Sequence, residues 1–161
     1  MHVLTLNHET VDTIDPITKG AAPDFTLTDI KGRPVTLSRL DKPALISVFP
    51  DINTSVCSLQ TKYFNEEAAR RDDIHFLSIS NNTAEELSNW CAAEGVDMMV
   101  FPDDGTFGNS YRLRMFGGPL PGRLARSVYV VKDGQIHYAE IVPEISDEPN
   151  YQAALAAAEA L

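Results

Sequence analysis

The amino-acid sequence predicts an α/β fold in which helices cover both faces of a central mixed β-sheet. Two observations carry this prediction. Short apolar runs typical of buried strands alternate with longer segments typical of helices, and the C-terminal third adds a β-hairpin followed by a final helix. With 161 residues, of which 43% are hydrophobic, the chain is long enough to bury one core. We therefore expect residues 1–161 to form a single domain.

The first forty residues predict two short hairpins. Residues 3–6 and 10–14 are typical of two strands around the turn 7–9. Residues 22–29 then alternate between apolar and polar side chains, as a half-buried strand does. After a turn that contains glycine and proline, residues 35–37 are expected to pair with that strand.

The middle of the chain predicts a strand–helix–strand unit. Residues 44–49 form a short apolar run, which indicates a central strand that is buried on both faces. Pro50 ends this strand, because a proline donates no hydrogen bond to a sheet. A helix is predicted from about residue 55 to residue 71, and residues 74–80 form the next strand.

A second helix follows, with its start and its end marked in the sequence. Thr83 with Glu86 three residues later is the pattern of a capping box, and Gly95 is a typical helix end. Residues 98–101 predict a strand, and residues 107–112 predict a short helix.

The last third predicts a loop, a hairpin and a helix. Residues 114–122 are rich in glycine and proline and therefore predict a loop. Residues 127–131 and 136–142 flank an Asp-Gly turn, which is a strong hairpin signal. An alanine-rich helix is expected over 151–161. The order β-α-β-α-β, hairpin, helix suggests a thioredoxin-like layout.

Cys57 is the leading candidate for chemistry, because it lies in the first turn of the helix that follows the central strand. The unpaired N–H groups and the positive end of a helix favour a thiolate, and the thiolate is the nucleophilic form of cysteine. A free cysteine is otherwise usually a small buried hydrophobe. Thr54 is spaced to place its hydroxyl near the sulfur or near the adjacent N–H groups, and it could equally be an ordinary helix cap.

Cys91, the second and last cysteine, lies 34 residues downstream (91 − 57) beside Trp90 on the second predicted helix. A buried structural cysteine is the simplest interpretation. A disulfide with Cys57 needs Cα atoms within roughly 7 Å, which two regular helices seldom provide, so such a pair would have to move. Arg126 at the start of a strand is by itself typical of a solvated side chain.

Several classes of function are disfavoured. The net charge of −10 disfavours nucleic acid and anionic membranes as partners. No apolar run approaches the roughly 20 residues of a membrane span, and residues 1–9 do not resemble a signal peptide. We therefore expect a cytoplasmic protein, in a reducing compartment. The four histidines lack metal-ligand spacing among themselves and with the cysteines, so a metal site is not predicted. The acidic residues of the segment 140–148 are most simply a solvated face.

The sequence resembles the peroxiredoxin family in several spaced motifs. The pattern Pro50-x-x-x-Thr54-x-x-Cys57 carries the proline, threonine and cysteine of the family signature. Further segments resemble the thiol peroxidase branch, an atypical two-cysteine group: 47–61, 64–67, 90–95, 124–128, 142–145 and 148–151. The resemblance extends from about residue 21 to the C-terminus.

This resemblance implies a thioredoxin-like fold with an N-terminal β-hairpin and a thiol-dependent peroxidase activity. Cys57 would be the peroxidatic cysteine, which forms a sulfenic acid, and Cys91 the resolving cysteine, which forms an intrachain disulfide with it. Thr54 and Arg126 would hold the thiolate and the peroxide oxygens, and Pro50 would shield the site. The implied partners are hydrogen peroxide or organic hydroperoxides, thioredoxin or a similar dithiol reductant, and a second copy of the chain in a homodimer.

The sequence also departs from the pattern of this branch. Ser55 stands where many members have proline, and Asn53 replaces the commoner aspartate. The first hairpin lacks the glycine expected in its turn, and the loop 114–123 is unusual. Three alternatives stay open: a dithiol oxidoreductase, which the missing Cys-x-x-Cys disfavours; a redox sensor or binding module that uses Cys57 as a switch; and a structural protein with inert cysteines.

Overall fold

The computed structural model describes residues 1–96 and 99–161. The strands are short and the helices cover them from both sides. The strands are β1 His2–Leu6, β2 Glu9–Ile14, β3 Gly20–Ala21, β4 Thr26–Thr28, β5 Pro34–Thr36, β6 Ala44–Val48, β7 His75–Ser80, β8 Val100–Pro102, β9 Ser127–Lys132 and β10 Gln135–Ile141. The helices are α1 Ser55–Arg70, α2 Ala84–Glu94, α3 Thr106–Tyr111 and α4 Tyr151–Glu159, with a short 3-10 helix at Leu37–Arg39.

The main sheet has six strands in the order β3-β10-β9-β6-β7-β8. Strands β6, β7 and β8 are parallel, whereas β9 runs antiparallel to β6 and pairs with β10 as a hairpin. Two small hairpins, β1-β2 and β4-β5, lie outside this sheet.

Strand β6 separates two apolar cores. All five of its residues are buried, as the continuous apolar run predicts. Ile46 and Val48 point into the core that also contains the N-terminal hairpin and α3. Leu45 points to the opposite face, where side chains of α1, α2 and α4 pack. The chain therefore leaves β6 inside the core, and α1 begins from this buried position.

The predicted fold class is confirmed: a mixed sheet with flanking helices and an N-terminal hairpin. The capping box at Thr83 and Glu86 is present, and Gly95 ends α2 with a left-handed φ of 67°. Both central residues of the β9-β10 turn, Asp133 and Gly134, also have positive φ, which matches the right-handed twist of the two strands.

Three local predictions differ from the structure. Within the predicted strand 22–29, only Thr26–Thr28 form a strand. The strand expected at 98–101 is Val100–Pro102, and Met98 lies outside the described residues. The acidic stretch expected to be solvated includes Glu144, which is buried because it anchors the turn of the first hairpin. None of the described helices is both long enough and apolar enough to cross a membrane.

Candidate active site

Cys57 lies at the junction of the central strand and α1. The chain leaves β6, passes the buried Pro50, and enters α1 at Ser55, with Thr54 as the N-cap residue. Cys57 is thus the third residue of the helix, and its side chain is fully buried. This is the position predicted from the sequence, at the positive end of the helix dipole.

Arg126 is distant from Cys57 in the sequence but contacts it in the structure. It immediately precedes β9, and its side chain is only 4% exposed. Its Nη1 donates hydrogen bonds to Cys57 Sγ at 3.3 Å and to Gln60 Oε1 at 3.0 Å, and its Nη2 donates to the Ile145 carbonyl oxygen at 3.1 Å. The antiparallel pairing of β9 with β6 places this arginine beside the end of the central strand.

The partners of Arg126 within the described part of the chain are all formally neutral when Cys57 is a thiol. They are a sulfur, an amide oxygen and a backbone carbonyl, and no carboxylate within residues 1–96 and 99–161 forms an ion pair with this guanidinium. Its Nε is buried and has no hydrogen-bond partner among the described residues. A buried cation without a counter-charge is costly, so a thiolate at Cys57 would be stabilised here.

Gln60 is the residue of this site that the sequence analysis missed. It is fully buried one turn after Cys57, and its Nε2 donates to Ser47 Oγ at 2.8 Å and to the Val48 carbonyl oxygen at 3.2 Å. The available signal was its spacing of three residues from Cys57, which puts both side chains on one face of the helix.

Thr54 and Pro50 lie close to Cys57 along the chain and contribute differently. The Thr54 hydroxyl donates to the Asp51 carbonyl oxygen at 2.8 Å and makes no cap bond to the helix. Because the hydroxyl proton is used in this hydrogen bond, Thr54 Oγ1 can act only as an acceptor toward another group. Pro50 lines a crevice too narrow for a water molecule, together with Arg126 and apolar side chains such as Met115.

Asn53 joins the loop before Cys57 to the start of α2. Its Nδ2 donates to Asp51 Oδ1 at 3.1 Å and to Glu86 Oε2 at 3.2 Å. Asn82 also donates to Asp51 at 3.0 Å. Burial acts to raise the pKa of Asp51, but the hydrogen bonds from Asn82 and Asn53 outweigh it and lower this pKa. An amide at position 53 therefore bridges two carboxylates, which an aspartate there would repel.

Cys91 is buried in the third turn of α2 and belongs to the same apolar cluster as Cys57. The two cysteines are not joined by a disulfide. Their helices are tied by a hydrogen bond from Trp90 Nε1 to Ser58 Oγ at 3.2 Å and by an ion pair between Lys62 and Glu94 at 3.0 Å. Ser58 follows Cys57 and Trp90 precedes Cys91, so this hydrogen bond joins residues that are adjacent to the two cysteines.

Metal-ligating side chains are not clustered among the described residues. Within 1–96 and 99–161, no three His, Cys, Asp or Glu side chains form a group that could hold an ion. The chemistry of the site is that of a thiol beside a buried guanidinium.

Comparison with known proteins gives the family. The Redoxin family model matches residues 18–155. A thiol peroxidase of Listeria innocua is 46% identical over 142 residues, covering 85% of this chain and 84% of the relative. A thiol peroxidase of Mycobacterium bovis is 34% identical over 165 residues and covers 98% of each chain. The chain belongs to the thiol peroxidase branch of the peroxiredoxin family.

Solved structures agree with this membership at the level of the fold. A peroxiredoxin-like protein from Aquifex aeolicus superposes with a TM-score of 0.88 at 24% identity, covering 100% of this chain and 98% of the other. Membership confirms the resemblance and the class of enzyme predicted from the sequence. The roles of Cys57, Cys91, Thr54, Arg126 and Pro50 stay predictions.

Proposed function

We propose that this peroxiredoxin reduces hydrogen peroxide and organic hydroperoxides through a Cys57 sulfenic acid and a Cys57–Cys91 disulfide, without a metal or organic cofactor. The observation that carries the proposal is the 3.3 Å contact between Arg126 Nη1 and Cys57 Sγ in a buried site. A cation at this distance stabilises the thiolate, which is the nucleophile that the reaction requires.

In the first step the Cys57 thiolate attacks one peroxide oxygen and breaks the O–O bond. The sulfur becomes a sulfenic acid, and the other oxygen leaves with the electron pair as hydroxide or alkoxide, which a proton converts to water or an alcohol. Arg126 has N–H capacity left, including its unpaired Nε, and it would stabilise the negative charge that develops on the leaving oxygen. The Thr54 oxygen would accept the hydrogen bond of the peroxide O–H.

In the second step the Cys91 thiol attacks the sulfenic sulfur, forming a disulfide and releasing water. This step needs local unwinding, because Cys57 and Cys91 lie within two regular helices. The bond from Trp90 to Ser58 would break during this movement. Since Trp90 is the only tryptophan of the chain, its fluorescence is a natural reporter of the step.

In the third step a dithiol such as thioredoxin would reduce the disulfide by exchange, returning both thiols and becoming oxidised itself. The reducing cytoplasm predicted from the sequence is the compartment in which such a cycle would run. A homodimer is proposed from the resemblance, and sedimentation velocity of the reduced protein measures it directly.

Stopped-flow fluorescence of Trp90 in the reduced protein, mixed with hydrogen peroxide or an alkyl hydroperoxide, tests the proposal. We expect an oxidation phase whose rate is proportional to peroxide concentration, followed by a phase of disulfide formation that is independent of it. Addition of thioredoxin, with its reducing system, should support many turnovers per chain.

Two variants separate the steps. Cys57→Ser should abolish peroxide consumption, and Cys91→Ser should retain the first oxidation while losing thioredoxin-driven turnover. Continued peroxide consumption by Cys57→Ser would contradict the proposal. Consumption of only one equivalent per chain, even with reductant present, would instead support a redox sensor.

A further inference from the structure

We propose that Gln60 is a positioning residue, which aims the Arg126 guanidinium at Cys57 without placing a competing negative charge beside it. The inference rests on the proposed function, because it concerns the same nucleophile. Gln60, Arg126 and Cys57 are all buried, and the Arg126 Nη1 is shared between Cys57 Sγ and Gln60 Oε1.

The chemistry around Gln60 requires an amide. At one end its Oε1 meets a guanidinium, which can only donate hydrogen bonds. At the other end its Nε2 meets the Val48 carbonyl oxygen, which can only accept them. A carboxylate at this position would face the carbonyl oxygen with a second acceptor, and an apolar side chain would leave both ends unpaired.

The second partner of Nε2, Ser47 Oγ, lies on β6 at 2.8 Å. Gln60 therefore joins the central strand to Arg126 at the base of α1, and the Ile145 carbonyl oxygen fixes the guanidinium from its other nitrogen. Side-chain rotation of Arg126 away from the sulfur would break at least one of these buried bonds. The amide is neutral, so it orients the cation without cancelling its charge.

Other titratable groups around this cluster are few. Tyr151 of α4 lies within electrostatic range of Arg126, and Tyr63 of α1 stacks on Tyr151. Asp51 in the preceding loop is held by amide donors. These groups are the same in every Gln60 variant, so a change in the pH profile of Cys57 would report the altered partner of Arg126.

The test is the pH profile of Cys57 alkylation by iodoacetamide in a Cys91→Ser background, together with the rate of oxidation by hydrogen peroxide. Gln60→Glu should move the alkylation profile to higher pH by about one unit, because the new carboxylate competes with the thiolate for Arg126. Gln60→Met should slow oxidation at neutral pH about tenfold, as expected from losing one charge-assisted hydrogen bond.

Thr61→Val is the matched control. Thr61 is fully buried on the same turn and its hydroxyl donates to the Cys57 carbonyl oxygen, but it is not among the described hydrogen-bond partners of Arg126. This variant should leave the alkylation profile unchanged. If the Gln60 variants fail to fold, Ser47→Ala, which removes one acceptor of the amide, should still slow oxidation by about threefold.

The inference would be overturned if folded Gln60→Glu and Gln60→Met showed wild-type oxidation rates and alkylation profiles. It would also be overturned if Thr61→Val shifted the alkylation profile as much as Gln60→Glu does. If the Gln60 variants do not fold, a wild-type oxidation rate in Ser47→Ala would overturn it. Alkylation uses no peroxide, so the role of Gln60 can fail while the peroxidase function stands, and the reverse can also be detected.

Discussion

Two buried charged residues, Arg126 and Glu144, lie on neighbouring parts of the structure and differ in how fully their charges are paired by hydrogen bonds. The Glu144 carboxylate accepts hydrogen bonds from the Thr5 hydroxyl, the Asn7 and His8 N–H groups and the Ser146 hydroxyl, at 2.7 to 3.2 Å. Arg126 donates three hydrogen bonds and keeps a buried Nε without a partner among the described residues.

The difference separates a structural charge from a reactive one. Glu144 is saturated by fixed donors, and these bonds hold the hairpin turn in which Asn7 and His8 both adopt positive φ. Hydrogen bonding, first from Thr5 and then from His8, lowers the pKa of Glu144 to about 2. Among the described residues Arg126 has no carboxylate partner, and it has N–H groups to spare, so in the proposed reaction its charge would be available to the sulfur and to a bound peroxide.

Removing the charge of Arg126 should have the largest effect on the rate of Cys57 oxidation. Arg126→Met is expected to slow oxidation of Cys57 by peroxide roughly 100-fold or more, the usual loss when a donor to developing charge is deleted. The urea midpoint should change less, because the loss of three hydrogen bonds is offset by removal of a buried cation. Stopped-flow rates and urea titrations measure the two quantities on the same sample. An unaltered rate in a folded Arg126→Met would show that the contact with Cys57 is only structural.

Removing the structural charge should show the reverse pattern. Glu144→Gln places an amide N–H against the N–H donor of either Asn7 or His8, because these two donors bond different oxygens of the carboxylate, so the hairpin turn loses part of its anchor. We expect a lower urea midpoint and a rate of Cys57 oxidation near that of the wild type. Hydrogen exchange at the amides of residues 2–14 should increase in this variant. A large loss of rate with no loss of stability would erase the distinction between the two charges.

The pH dependence of the free energy of unfolding tests whether Glu144 is a structural charge. The pKa of Glu144 is lower in the folded protein than its ordinary value of 4.5, so its contribution is fully present above about pH 4.5. That contribution is lost as the pH falls through about 2. The difference in urea midpoint between wild type and Glu144→Gln should therefore be largest near neutral pH and shrink toward pH 2. A difference that is constant over this range would assign the effect to packing.

The smallest expected effect concerns the loop that carries Cys57. Asn53→Asp replaces the amide that bridges Asp51 and Glu86 with a third carboxylate. Repulsion should loosen the loop from the start of α2, so we expect a slightly faster disulfide phase in Trp90 fluorescence and an unchanged oxidation phase. The effect should weaken at high salt, because the carboxylates of Asn53→Asp and Glu86 are exposed to solvent. A slower disulfide phase would contradict the proposed loosening.

Much of the fold was predictable because the signals are local. The apolar run at β6, the capping box of α2 and the Asp-Gly turn each depend on residues within one element. The family motif likewise located Cys57. Arg126 illustrates the limit: residues alone predict a solvated arginine, and only the pairing of β9 with β6 buries it beside the sulfur.

Gln60 and Glu144 were missed for the same physical reason. Each is polar and unremarkable within its own segment, and all of its partners except Ser146 lie 12 to 139 residues away in the sequence. Glu144 also explains how the first hairpin forms without the expected glycine, because its carboxylate binds the N–H groups of a turn built from Asn7 and His8. Buried polar networks depend on tertiary contacts, which spacing along the chain does not reveal.

The most direct test of the proposed chemistry is to trap the sulfenic acid in the Cys91→Ser variant and to map it by peptide mass spectrometry. One equivalent of hydrogen peroxide in the presence of dimedone should label Cys57 nearly completely, and Arg126→Met in the same background should label much more slowly. Absence of a Cys57 adduct in the folded protein, or equal labelling with and without Arg126, would contradict the proposal that the buried guanidinium activates this thiol.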